Sequence, residues 1–154
     1  MKKKLALLVL VSLLLYSCGY KIISQQYNFN INEIKTDGDK LINFKLKNQL
    51  KIYQSSDKSE IINLNINSKK IKNIKEKNIK NEITKYNLGI IITVEYILVQ
   101  SGEKNEFTIK NEGDFEVDSK YSQTLNNEKS LLNELIDDMS DKIIENLRLE
   151  LNDI

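Results

Sequence analysis

Apolar and polar residues alternate from Tyr27 onward: Tyr27, Phe29 and Ile31 fall on one face of an extended chain, and Asn28, Asn30 and Asn32 on the other. A period of two marks a half-buried strand, and Thr36-Asp37-Gly38-Asp39 is expected to break it. Asp37 or Asp39 can then cap a helix, its carboxylate accepting bonds from amides that lack partners in the first turn. The following KLINFKLKNQL repeats apolar residues at helical intervals (Leu41, Ile42, Phe44 or Leu46, and Leu50), which predicts a helix over residues 40–53. After the polar stretch Gln54 to Ser59, Ile62, Leu64 and Ile66 alternate with Asn63, Asn65 and Asn67 as a second strand. In KYNLGIIITVEYILVQ, a third strand puts Tyr86, Leu88, Ile90, Ile92, Val94, Tyr96 and Leu98 on one face. Fifteen residues would span about 50 Å at roughly 3.3 Å each, so a bend is expected, with Gly89 as its site. Ser101 to Lys104 reads as a turn. EFTIKN then starts a returning strand that continues through Phe115 and Val117 after a break at Gly113. Leu132, Leu135, Met139, Ile143, Leu147 and Leu151, widened by Leu131, Ile136 and Ile144, form a stripe that predicts a closing helix over residues 127–151.

The predicted order is β-α-β-β-β-α. Two helices with one apolar stripe each, and a sheet polar on one face, satisfy one another in a two-layer α+β sandwich: a four-stranded sheet covered on one face by two helices. Neither an internal repeat nor an interdomain linker divides the 154 residues, so residues 27–154 are read as a single periplasmic α+β domain.

The N-terminus changes that picture. Lys2, Lys3 and Lys4 precede an apolar run from Leu5 to Leu15 that only Ser12 interrupts. Eleven helical residues reach roughly 16 Å, half of a ~30 Å hydrocarbon core, so the run fits a secretion signal rather than a spanning helix. It ends at Leu15-Tyr16-Ser17-Cys18, which holds the chain's one cysteine and resembles the bacterial lipoprotein box. That resemblance implies a signal peptide at 1–17, cleavage between Ser17 and Cys18, a diacylglyceryl group on the Cys18 sulfur, acylation of the new amine with a fatty chain such as palmitate, and a short linker over 18–26. Two or more acyl chains, at about 0.8 kcal/mol per buried CH₂, anchor a domain stably. Gly19, where an Asp would signal retention at the inner membrane, implies the outer membrane. Removing residues 1–17 takes away three lysines, so 23 basic residues fall to 20 against 22 acidic ones. With no second cysteine no disulfide can brace the domain, and its fold rests on its core.

Candidate chemistry is sparse. Without histidine, and with the one thiol acylated, the mature chain cannot build Ser-His-Asp or Cys-His catalysis or a His/Cys zinc site. The acidic neighbours Asp37 with Asp39, Glu112 with Asp114 and Glu116, and Asp137 with Asp138 sit in turns or on polar faces and lack EF-hand spacing. No metal, no cofactor beyond the covalent lipid and no enzymatic activity are expected. Lys69 to Lys85, KKIKNIKEKNIKNEITK, carries seven lysines against Glu76 and Glu82. It reads either as a solvated hairpin or short helix, or as a surface for an anionic ligand. Nucleic acid is not expected for an exported domain that lacks aromatic residues between these lysines.

A lipobox ending CGY, the capped segment DGDKLINFKLKNQL, the strand and turn YNLGIIITVEYILVQSGEK, and the final helix EKSLLNELIDDMSDKIIENL follow one another in an order that resembles the LPS-assembly lipoprotein family (LptE). VEYILVQSGEK is similar to that family's strand and turn, and SDKIIENL to the end of its last helix. The resemblance implies two helices on one four-stranded sheet, and an outer-membrane lipoprotein that plugs a β-barrel translocon, helps it fold and engages lipopolysaccharide. Barrel lumens of this kind are polar, as a plug's surface would be. It also implies lipopolysaccharide contacts near the tip of the hairpin between strands two and three, where Lys75, Lys77 and Lys80 are the nearest counterparts. Arg148 is the sole arginine, and lysine supplies charge without the bidentate fork. Two other readings share parts of this pattern: an accessory lipoprotein of an ABC-type lipid or solute transport system, and a glycan hydrolase using carboxylates alone, which would need two acids facing across a deep cleft.

Overall fold

Alternation and capping chemistry place the elements of the computed structural model, which describes residues 29–53 and 60–152. Strand β1, Phe29–Gly38, buries Phe29, Ile31 and Ile34, the shift in spacing coming from a bulge between Ile31 and Glu33. Asp39 caps helix α1, Lys40–Leu50, its Oδ1 accepting from the amides of Leu41 and Ile42 at 3.0 Å each. A 3₁₀ turn, Lys51–Tyr53, follows. Strands β2 (Glu60–Lys77), β3 (Ile83–Leu98) and β4 (Lys104–Glu116) lead to helix α2, Tyr121–Asn152. The sheet order is β1-β2-β3-β4, with β1 parallel to β2 and the other pairs antiparallel. Both helices lie on one face, so the α+β sandwich with the order β-α-β-β-β-α is as the sequence predicts.

The core lies between the layers. Ile62, Leu64 and Ile66 of β2 and Leu88, Ile90, Ile92, Val94, Tyr96 and Leu98 of β3 meet Ile42, Leu46 and Leu50 of α1 and Leu132, Leu135, Ile136, Met139, Ile143, Ile144 and Leu147 of α2. Leu41 and Phe44, which share the predicted helical pattern, are exposed on the outer side of α1.

Several expectations change. β1 runs on to Gly38 because Gly38 at φ 94° lets the chain close against Ser68. The amide of Asp39 bonds to Ser68 O at 3.0 Å, so the expected break at Thr36 becomes a turn of one residue. β3 is unbroken at Gly89, which pairs in register with Ile71 and Glu112; the irregularities fall on β2, at Ile74, Glu76 and Lys77. β4 has no break at Gly113 either: the bare Cα admits the Leu131 side chain, which would lie 2.7 Å from a methyl group there. Helix α2 starts six residues before the predicted position 127 and ten before its apolar stripe. Asp118 Oδ1 accepts from the Lys120 amide at 2.8 Å and Thr124 Oγ1 accepts from the Asp118 amide at 2.9 Å, which fixes the entry.

Candidate functional site

The lysine-rich stretch forms the far end of a long hairpin and no part of it is helical. β2 outruns β1, whose last pair is Gly38 with Ser68, and β3 outruns β4, whose last pair is Lys85 with Glu116. Beyond Ser68 the sheet therefore narrows to three strands and then to a two-stranded tip. Asparagines set the turn. Asn78 Oδ1 accepts from the amides of Lys80 (2.9 Å) and Glu82 (3.0 Å), the Asn81 amide bonds to Asn78 O, and Asn81 takes φ 64°, a conformation asparagine tolerates.

The three predicted lysines sit in different settings. Lys75 stands within β2, not at the tip, and its ammonium is paired with Asp114 of β4. That bond, with one from Asn87, holds the Asp114 carboxyl below its ordinary value. Lys77 donates to Asn81 Oδ1 at 3.0 Å, and Lys80 lies exposed on the turn and forms no ion pair among the described residues. Between them, at the apex, is Ile79, which is fully exposed. The sequence reading did not single it out; the available signal was an aliphatic residue inside a turn of Asn and Lys. Two ammonium groups flanking an exposed isoleucine suit an amphipathic anion, the charge meeting the lysines and the hydrocarbon meeting Ile79.

Just below the tip, other lysines serve the fold. Lys72 Nζ sits 4.3 Å from the Tyr86 ring centroid and 5.0 Å from that of Phe115, rings that themselves stack at 5.5 Å. Lys72 and Lys70 also bond to the two carboxylate oxygens of Glu128 on α2, at 2.6 and 2.9 Å. Burial pushes the Glu128 carboxyl up, but the two ammonium bonds outweigh it and hold the group below its ordinary value. Lys85 donates to the carboxylates of Glu76 and Glu116, which hold its ammonium above its ordinary value.

The sheet face away from the helices is mostly polar, with Ile71, Ile91 and Ile97 half-buried among its asparagines and charged residues. Asn65, Asn67, Lys69, Thr93, Glu95 and Glu106 line part of a shallow hollow of about 630 Å³. Glu95 and Glu106 are neighbours in the β3–β4 register, on one wall and not facing across a cleft. Among the described residues no group of three or more His, Cys, Asp or Glu side chains could hold a metal, and no helix is long and apolar enough to cross a membrane. Ser17, Cys18 and the linker over 18–26 lie outside the described residues.

No family model and no curated protein matches the chain by sequence. Solved structures do match its fold. Rare lipoprotein B from Shewanella oneidensis superposes with a TM-score of 0.61 at 15% identity, over 79% of this chain and 98% of that one. Uncharacterized lipoprotein B from Nitrosomonas europaea gives 0.52 at 10% identity, over 83% and 90%, and a candidate lipoprotein from Caulobacter crescentus 0.51 at 12%, over 77% and 90%. At these identities the likeness is one of fold: this chain has an α+β fold found in bacterial lipoproteins.

Proposed function

We propose that the protein is a non-enzymatic outer-membrane lipoprotein, anchored through an acylated Cys18, that assembles with and plugs a β-barrel translocon inserting lipopolysaccharide into the outer membrane. What supports the reading most is the conjunction of a lipobox at Cys18 with a domain whose fold covers 98% of rare lipoprotein B. The polar sheet face and the narrow hairpin fit a body that enters a water-lined lumen. In this reading the tip engages lipid A phosphates through Lys77 and Lys80, with Lys75 contributing only when it leaves Asp114.

Depletion of the protein tests the role. Folded barrel abundance and surface lipopolysaccharide should both fall, and recovery of the protein with an inner-membrane permease in place of a barrel would favour the ABC-type reading. Normal barrel assembly after depletion would overturn the proposal. Reversing Lys77 and Lys80 to Glu tests the ligand part separately; lipid A binding in vitro should weaken about tenfold or more, with Lys75→Glu costing less.

A further inference from the structure

β4 is an edge strand, and among the described residues no strand pairs with its outer side. The bond from the Val117 amide to Thr84 O and that from the Leu98 amide to Glu103 O fix which backbone groups turn inward: those of the odd-numbered residues bond to β3. The amides and carbonyls of Lys104, Glu106, Thr108, Lys110 and Glu112 therefore point away from the sheet. No bulge or proline protects this edge; the register with β3 is unbroken from Lys104 to Glu116. Charged side chains are the usual defence of such an edge. Here they follow a pattern that fails as a defence in one register.

The segment Lys104-Asn105-Glu106-Phe107-Thr108-Ile109-Lys110-Asn111-Glu112 is self-complementary when laid antiparallel on a second copy about Thr108. Lys104 then opposes Glu112, Glu106 opposes Lys110, and Thr108 opposes Thr108, each pair occurring with its symmetry mate on the polar face. On the helix face Asn105 opposes Asn111 and the half-buried Phe107 opposes Ile109. All the charged pairs are of opposite sign, and, since Asn111 Oδ1 already accepts from the Glu112 amide at 3.0 Å, the outward backbone groups match in about eight hydrogen bonds. Neighbouring registers do worse. Pairing about Lys110 sets Lys110 against itself and Glu106 against Asp114, and pairing about Ile109 sets Glu106 against Glu112.

We infer that the protein self-associates through β4, two copies joining their sheets into one eight-stranded sheet about a two-fold axis at Thr108. The occupant is a second copy of this chain because the complementarity is that of the strand with itself. The inference is independent of the barrel reading and describes the chain when it is not lodged in a lumen.

Cysteine substitution in the full chain in its membrane tests it. Thr108→Cys places two thiols on residues about 5.5 Å apart at Cα, within disulfide reach, whereas Lys110→Cys in the same register leaves them four positions apart along the strands. The unsubstituted chain, whose one cysteine is the Cys18 read as acylated, sets the background. Oxidation should give a covalent dimer from Thr108→Cys and background amounts from Lys110→Cys. Adding Lys110→Glu to Thr108→Cys opposes acids at two symmetric places and should cut the dimer about tenfold; adding Glu106→Lys as well should restore it. Background dimer from Thr108→Cys overturns the inference, as does a double swap that fails to restore what the single one removed.

Discussion

Gly38 shows at the scale of one residue how a conformation and a contact can demand the same amino acid. Its φ of 94° is a region that side chains avoid, and a methyl group there would lie 2.0 Å from Ser68 O, the atom that also accepts from the Asp39 amide. Gly102 has φ 74° with open space around it, so it shares the conformational demand alone. Gly38→Ala should therefore lower unfolding free energy by about 3 kcal/mol and Gly102→Ala by about 1 kcal/mol, read from urea midpoints. Ser68 and Asn43 lock the same turn: Ser68 Oγ donates to Asn43 Oδ1 at 2.7 Å, and Asn43 Nδ2 donates to Asp37 O at 2.9 Å, both residues being buried. The sequence marked Thr36 to Asp39 as a turn with an aspartate cap. It did not reveal that Ser68, which follows three buried aliphatics in β2, would continue their face as a polar residue because the turn needs its carbonyl and hydroxyl. Glu128 carries a pH signature. Its carboxyl is depressed in the folded state, so it stabilises the fold above the ordinary carboxylate pKa of roughly 4.5 and the benefit is lost as pH falls through the lower folded value. Glu128→Gln should cost stability at neutral pH and reduce the loss of stability on acidification, measured by denaturation at pH 7 and below pH 4.

The hairpin is the element where sequence and structure part most clearly. Period-two alternation continues past Ser68, but the helix-facing positions become Lys70, Lys72 and Ile74 in place of core aliphatics. Hydrophobicity therefore stops reporting the strand even though the backbone ladder goes on to Lys77. What substitutes for a core here is the Lys72 ammonium, held between two aromatic rings and Glu128, which ties three strands to the start of α2. A cation–π contact and a half-exposed ion pair together contribute on the order of 1–2 kcal/mol. Lys72→Ala should raise amide exchange about tenfold across the hairpin from Lys69 to Leu88, while Ile92 to Tyr96 in the centre of β3 keeps its protection. The body of the fold was legible for the opposite reason: in β3 from Leu88 onward and in α2 from Leu132 onward each apolar position of the stripe is a core position. The first turns of α2 were not, because Asp118 and Thr124 start the helix while Tyr121 and Leu125 remain exposed.

At the scale of the molecule the two ends differ. Phe29 pairs with Glu60, and the β3–β4 turn lies beside them, so the chain leading from Cys18 enters at the end opposite the Ile79 apex. Seventeen residue steps of β2, from Glu60 to Lys77, separate those ends by about 55 Å at roughly 3.3 Å each. Ten steps from Cys18 to residue 28 reach at most about 35 Å when fully extended. A domain standing on the proposed anchor thus carries its lysine-flanked tip away from the anchoring bilayer, and the tip can touch that bilayer only if the sheet leans to within about 40° of the bilayer plane. That polarity makes the apex available to a ligand or wall reached from beyond the anchor, and it puts Val99, exposed at the β3–β4 turn, at the anchored end. A fluorophore on Ile79→Cys in vesicles carrying the acylated protein should be quenched several-fold less by a lipid-phase quencher than the same fluorophore on Val99→Cys. Equal quenching at the two sites would mean that the sheet lies on the membrane, and the hairpin would then have to meet its ligand in the bilayer that holds Cys18.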